Sequence, residues 1–182
     1  RIMHCSSGFV QIESKHIIKS ELCATCHTLY THTLSPDGEV IGELPEQVPY
    51  LEWRHSAFAD RQSCQSCHMP TVEQSTPISN VLGEPRADVN RHSFRGANFF
   101  MIRMLNRYRD ELGVKALPQE MNNAVNRTID HLQEKSAKLY IHQANIDGEE
   151  LQIDLVVENL AGHKLPTAYP SRRSWVHLKV TD

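Results

Sequence analysis

The chain has 182 residues, 40% of them hydrophobic, and a formal net charge of −3 at pH 7. That length suits one domain or one and a half, with a lean core. The mild acidity excludes a nucleic-acid partner, which needs clustered Lys and Arg, and no apolar run approaches the roughly 18 residues of a membrane-spanning helix.

In chain order, Cys5 stands alone and reads as a buried thiol or as half of a disulfide to a segment outside the chain. His16 follows in the apolar-flanked stretch Lys15-His16-Ile17-Ile18, seven residues before Cys23. Ser20 is the expected N-cap of a short helix through Cys26. Ser35-Pro36-Asp37-Gly38 spells a turn. Pro45 to Ala59 is predicted helical, with Tyr50, Trp53, Ala57 and Phe58 on one face and Pro near its start. Residues 69–90 are weakly periodic and read as a loop, which at that length must pack on something.

Ala97 to Leu112 is predicted as a helix ended by Gly113, and Pro118 opens another with Met121, Val125, Thr128, Ile129 and Leu132 on one face. The period then switches. Leu139 and Ile141 alternate, Asp147-Gly148 turns, and Leu151, Ile153, Leu155 and Val157 alternate again. Val176, Leu178 and Val180 are the expected third strand. Three strands are too few to close a sandwich. With Arg1 at the start and Val180-Thr181-Asp182 at the end, the chain reads as a fragment whose remaining strands come from the parent chain or from a second copy pairing as a homo-oligomer.

The chemistry lies in two C-x-x-C pairs, and three readings compete. Four thiolates can hold zinc tetrahedrally, one pair can be a thioredoxin-like redox couple, and C-x-x-C followed at once by His attaches c-type haem. Both pairs here continue into His, as Cys23-Ala24-Thr25-Cys26-His27 and Cys64-Gln65-Ser66-Cys67-His68. Cysteines three apart share one side of a helical turn, so each sulfur can form a thioether to the porphyrin edge, with His27 or His68 as proximal ligand. Haem is therefore preferred to zinc, and each porphyrin adds apolar surface to a lean core. The expected fold is a mainly α dihaem cytochrome c domain over 1–137, helical with long loops, followed at 138–182 by a truncated, all-β, sandwich-like segment.

Each iron then needs its far side assigned, because a second His makes a low-spin carrier and an open side makes a reactive centre. The 11 histidines leave His16, His55, His92 and His163 as candidate second ligands, with His4 and His32 behind them. Met69 follows His68 directly and cannot reach the opposite face. Arg172 and Arg173 are candidates for clamping haem propionates, and Arg91 and Arg95, flanking His92, are others.

Several stretches resemble the bacterial multihaem cytochromes c of the cytochrome c-554-like group. They are Leu22 to Leu29, Glu46-Gln47 with Leu51-Glu52-Trp53, Cys64 to Pro70, His92-Ser93-Phe94-Arg95-Gly96-Ala97-Asn98, and Gly162-His163-Lys164-Leu165-Pro166-Thr167-Ala168-Tyr169-Pro170. The resemblance covers most of the chain. It implies periplasmic or cell-surface electron transfer to other haem domains of the parent chain or to a redox partner, with His92 as a distal ligand. Ala97 and Ala168 stand where the family pattern has glycine. Alanine restricts positive φ, so the backbone is expected to differ there. Two functions follow: electron relay through two bis-His haems, or a fragment of a multihaem oxidoreductase whose open haem acts on a small nitrogen or sulfur compound.

Overall fold

The computed structural model describes residues 2–10 and 12–181; Arg1, Gln11 and Asp182 lie outside them. In chain order the elements are α1 (Ile2–Ser7), a 3-10 turn (Lys15–Ile18), α2 (Glu21–Ala24), β1 (Leu29–Leu34), β2 (Val40–Gln47), α3 (Pro49–Arg54) and α4 (Cys64–His68). Then come β3 (Thr76–Pro77), β4 (Pro85–Arg86), α5 (Phe99–Arg107), α6 (Pro118–Lys135), β5 (Ala137–Asp147) and β6 (Glu150–Asn159). Among the described residues the strands make three antiparallel pairs, β1–β2, β3–β4 and β5–β6. The chain is 28% helical and 23% strand. This corrects the expectation of a mainly helical haem domain: the architecture is mixed.

Two local features cause the difference. Tyr30, His32 and Leu34 alternate with Thr31 and Thr33 up to the Ser35–Gly38 turn, where Gly38 donates its N–H to the Ser35 carbonyl at 3.0 Å with φ +84. The turn joins a hairpin, and β2 runs on through Pro45, opposite Tyr30, at a register shift. Proline is tolerated in a strand at such an irregularity. The following helix therefore starts not at Pro45 but at Pro49, whose missing N–H costs nothing in the first turn.

The third strand is the other correction. Residues 172–181 belong to no strand, and Trp175, Val176, Leu178 and Val180 are exposed. Alternation alone does not make a strand; the backbone needs a paired edge. The 69–90 loop, by contrast, folds back on itself. Val72 donates to the Val89 carbonyl at 2.8 Å and Arg91 to that of Pro70 at 3.0 Å, so its end returns to the second C-x-x-C-H motif.

The α5–α6 pair carries the best-packed apolar contact. Val125 is buried, Asn106 Nδ2 donates to Asn122 Oδ1 at 3.0 Å, and Glu120 accepts the Leu117 N–H at 2.9 Å to cap α6. Elsewhere little is covered. The accessible surface is 15131 Å², against about 9,000 Å² for a compact chain of this mass. The β5–β6 ribbon is largely exposed, with Leu139, Tyr140 and Ile141 about half open. Among the described residues no helix is long and apolar enough to cross a membrane.

Candidate functional site

The two C-x-x-C-H segments, 41 positions apart in the chain, meet in space. Ser20 is buried, and its hydroxyl makes no bond within α2. Instead Oγ accepts the Cys64 N–H at 3.0 Å, satisfying an orphan donor at the start of α4. Gln65, also buried, donates Nε2 to the carbonyls of Ile17 (2.9 Å) and Lys19 (2.8 Å). The residue expected to cap the first motif thus ties the second motif to it.

Both motifs take the same turn. Thr25 Oγ1 donates to the Leu22 carbonyl at 2.8 Å, and Ser66 Oγ to that of Ser63 at 2.7 Å. All four motif cysteines are free thiols, Cys23 and Cys64 half-buried, Cys26 and Cys67 exposed. Cys23 and Cys64 stand side by side. Burial first, then the charge and hydrogen bond of Cys64, then Cys26, push the Cys23 thiol above its ordinary value. Cys5 is an exposed free thiol, which removes the buried-thiol alternative expected for it.

His68 is the best-organised of the histidines. It is half-buried, and its Nδ1 is bonded to the Arg95 carbonyl, while Arg95 N–H donates back to the His68 carbonyl at 2.9 Å. A carbonyl only accepts, so Nδ1 carries the proton and Nε2 keeps its lone pair. Burial pushes the imidazole pKa down; the Arg95 carbonyl opposes this, and His163 and His27 add to it. The neutral, donor form is favoured. Phe94, next to Arg95, sits at φ +43, a strained value for a bulky residue.

Two further imidazoles face His68. The His163 ring centre lies 6.2 Å away with planes 17° apart, and the His131 ring centre 6.0 Å away with planes 47° apart. His163 repeats the pattern of His68, its Nδ1 bonded to the Lys164 carbonyl at 2.9 Å. Its loop is fixed from both sides. Asn159 Nδ2 donates to the His163 carbonyl at 2.8 Å and Asn159 Oδ1 accepts the Ala161 N–H at 3.0 Å. Glu52 Oε2, on α3, accepts the Lys164 N–H at 3.0 Å and the Thr167 hydroxyl at 2.6 Å. Gly162 lies against Trp53 and Phe58, where a Cβ would meet Trp53 Cδ1 at 3.3 Å.

His131 was not singled out from the sequence, yet it falls three residues after buried Thr128 on the inner face of α6. That spacing was the available signal. Burial lowers its pKa, as do His68, Arg95 and Lys135.

The other candidates lie elsewhere. His16 Nδ1 pairs with Ser14 Oγ at 2.5 Å. His55 is exposed at the end of α3. His92 is exposed, with its ring 6.1 Å from that of Phe94. His32 faces Glu43 across β1–β2 at 3.7 Å and His4 bonds the Phe9 carbonyl. Among the described residues, the ring contacts to His68 come from His131 and His163, not from His16, His55 or His92. His27 is exposed. Arg172 bonds Asn98 Oδ1 at 3.0 Å and Arg173 is exposed.

Among the described residues, four buried side-chain polar atoms have no partner: Thr28 Oγ1, Gln65 Oε1, Ser93 Oγ and Arg95 Nε. Thr28 follows the first motif directly, Gln65 lies within the second, and Arg95 is bonded to His68. Among the described residues no three His, Cys, Asp or Glu side chains converge to hold a metal ion, so the four sulfurs do not form the tetrahedral set that zinc requires.

No family model, curated protein or solved structure matches this chain.

Proposed function

We propose that the chain is an extracytoplasmic electron-transfer unit holding two c-type haems, through Cys23/Cys26/His27 and Cys64/Cys67/His68, with His163 as the second ligand of the His68 iron. The observation that carries the reading is the His68–His163 pair. Each ring has Nδ1 tied to a backbone carbonyl, which leaves the lone pair on Nε2, the arrangement that orients metal-ligating histidines and raises their basicity. Two imidazoles binding one metal from opposite sides, through bonds of about 2.0 Å, have ring centres about 6 Å apart. The observed 6.2 Å fits. His131 is as close, but among the described residues no carbonyl bonds its Nδ1.

The residues present suit the group in two further ways. Haem needs one His from its motif and at most one from elsewhere, so no cluster of three ligands is required. The buried, unpartnered Nε of Arg95, the residue whose carbonyl holds His68, suits an anionic propionate better than Arg172, which is engaged with Asn98. When bound, haem supplies a one-electron redox couple. The chain's part is to hold the His68 iron low-spin and to keep the pair close: the Ser20–Cys64 and Gln65–Lys19 bonds tie the two motifs together, for relay to further haems of a parent chain or to a partner protein. Covalent attachment and the resemblance to the cytochrome c-554-like group support a periplasmic or cell-surface setting.

Electron paramagnetic resonance of the matured protein tests this. A relay gives two low-spin ferric signals, His163→Ala turns one of them high-spin, and His131→Ala turns neither. If His163→Ala leaves both haems low-spin, the ligand assignment is wrong. A high-spin signal at the His27 haem of the unaltered protein would instead favour an oxidoreductase with an open iron.

A further inference from the structure

We infer that Glu52 is a positioning residue, a latch on α3 that holds the His163 loop so that His163 reaches the His68 iron; this rests on the haem reading above. One carboxylate oxygen accepts two hydrogen bonds from the loop, from the Lys164 N–H directly after His163 and from the Thr167 hydroxyl. They are contacts across 112 and 115 residues of chain. The next residue of α3, Trp53, carries the backbone on the other side of His163, at Gly162. Trp53 is itself fixed by its Nε1–H bond to the Gln62 carbonyl at 2.8 Å, two residues before Cys64. His163 is thus bracketed by Gly162 on Trp53 and Lys164 on Glu52, and α3 is tied to the second haem motif. Asn159 holds the loop from the β6 side, but that ribbon is largely exposed, and it is α3 that ties the loop to the second haem motif.

Hydrogen bonds to a charged acceptor are stronger than neutral ones. Their loss raises the ratio of detached to attached His163 about tenfold or more. A ligand must be held within about 0.5 Å of its working position, so a loosened loop opens the iron.

The test uses the matured protein with both haems. Glu52→Ala converts one of the two haems to a high-spin, carbon-monoxide-binding form, and added imidazole restores the low-spin spectrum, since what is missing is a ligand. Glu52→Gln, which keeps an acceptor in place, stays low-spin. His163→Ala in the same assay separates the two claims. If His163→Ala opens an iron but Glu52→Ala leaves both low-spin and unreactive to carbon monoxide, the latch is refuted alone. If neither opens one, the ligand assignment fails and the latch with it. Should Glu52→Ala not mature, Thr167→Val removes only the 2.6 Å bond; it gives a smaller, imidazole-reversible signal, and its absence counts against the latch.

Discussion

Ala97 and Ala168 both stand where the resembled pattern has glycine, yet restoring glycine should move stability in opposite directions. Ala168 sits at φ +67, in the left-handed region, directly after the latched Thr167. For an L-residue with a Cβ this conformation costs about 1–2 kcal/mol. Glycine removes that cost but adds freedom to the unfolded chain, worth about 0.4–1 kcal/mol. The net for Ala168→Gly is a gain of about 0.5–1 kcal/mol. Ala97 is not among the positive-φ residues. Ala97→Gly therefore relieves nothing and only adds unfolded-state freedom, a loss of about 0.4–1 kcal/mol. Urea unfolding followed by circular dichroism measures both, the midpoint rising for Ala168→Gly and falling for Ala97→Gly at unchanged slope. Two shifts of the same sign, or a destabilised Ala168→Gly, would refute the reasoning.

Two other outcomes follow from local geometry. Gly162→Val puts side-chain carbon where a Cβ already meets Trp53 at 3.3 Å and Phe58 at 3.6 Å; overpacking of this kind costs about 1–3 kcal/mol, and an unchanged urea midpoint would mean the loop does not rest on Trp53. In the haem-free chain Cys23 should alkylate more slowly than exposed Cys67 at neutral pH. Its raised pKa lowers the thiolate fraction, and the thiolate is the nucleophile. Its rate should go on rising above the pH where an ordinary thiol levels off. Equal rates for Cys23 and Cys67 at neutral pH, read by peptide mass spectrometry, would contradict the burial of the Cys23 thiol against Cys64.

What could be read from the sequence was what depends on local pattern. Pro118 opening α6, and the alternating runs on either side of Asp147-Gly148, needed no distant partner to be recognised. The Ser35–Gly38 turn is legible too, but the β1–β2 strands it joins are not, because six residues of alternation from Leu29 to Leu34 are too few to announce a strand without its partner. Pro45 drew the helix start four residues early because proline suits both a helix N-terminus and a bulged strand. The expected strand at 176–180 failed for the opposite reason, since alternation supplies a face but not a paired edge. The site divides in the same way. Covalent motifs have fixed spacing and stood out. His131 does not stand out, and Ser20 and Glu52 stand out only for other reasons, as a helix cap and as part of a family-like stretch, because each acts across a long stretch of chain: Ser20 on Cys64, Glu52 on Lys164 and Thr167, His131 on His68.

The claim on which the rest depends is covalent attachment of two haems. Intact mass spectrometry of the protein matured in a host that assembles c-type cytochromes, followed by peptide fragmentation, tests it directly. The account predicts a mass raised by two haems, one on the peptide holding Cys23 and Cys26 and one on that holding Cys64 and Cys67, with Cys5 unmodified. An unshifted mass with four free motif thiols would contradict it.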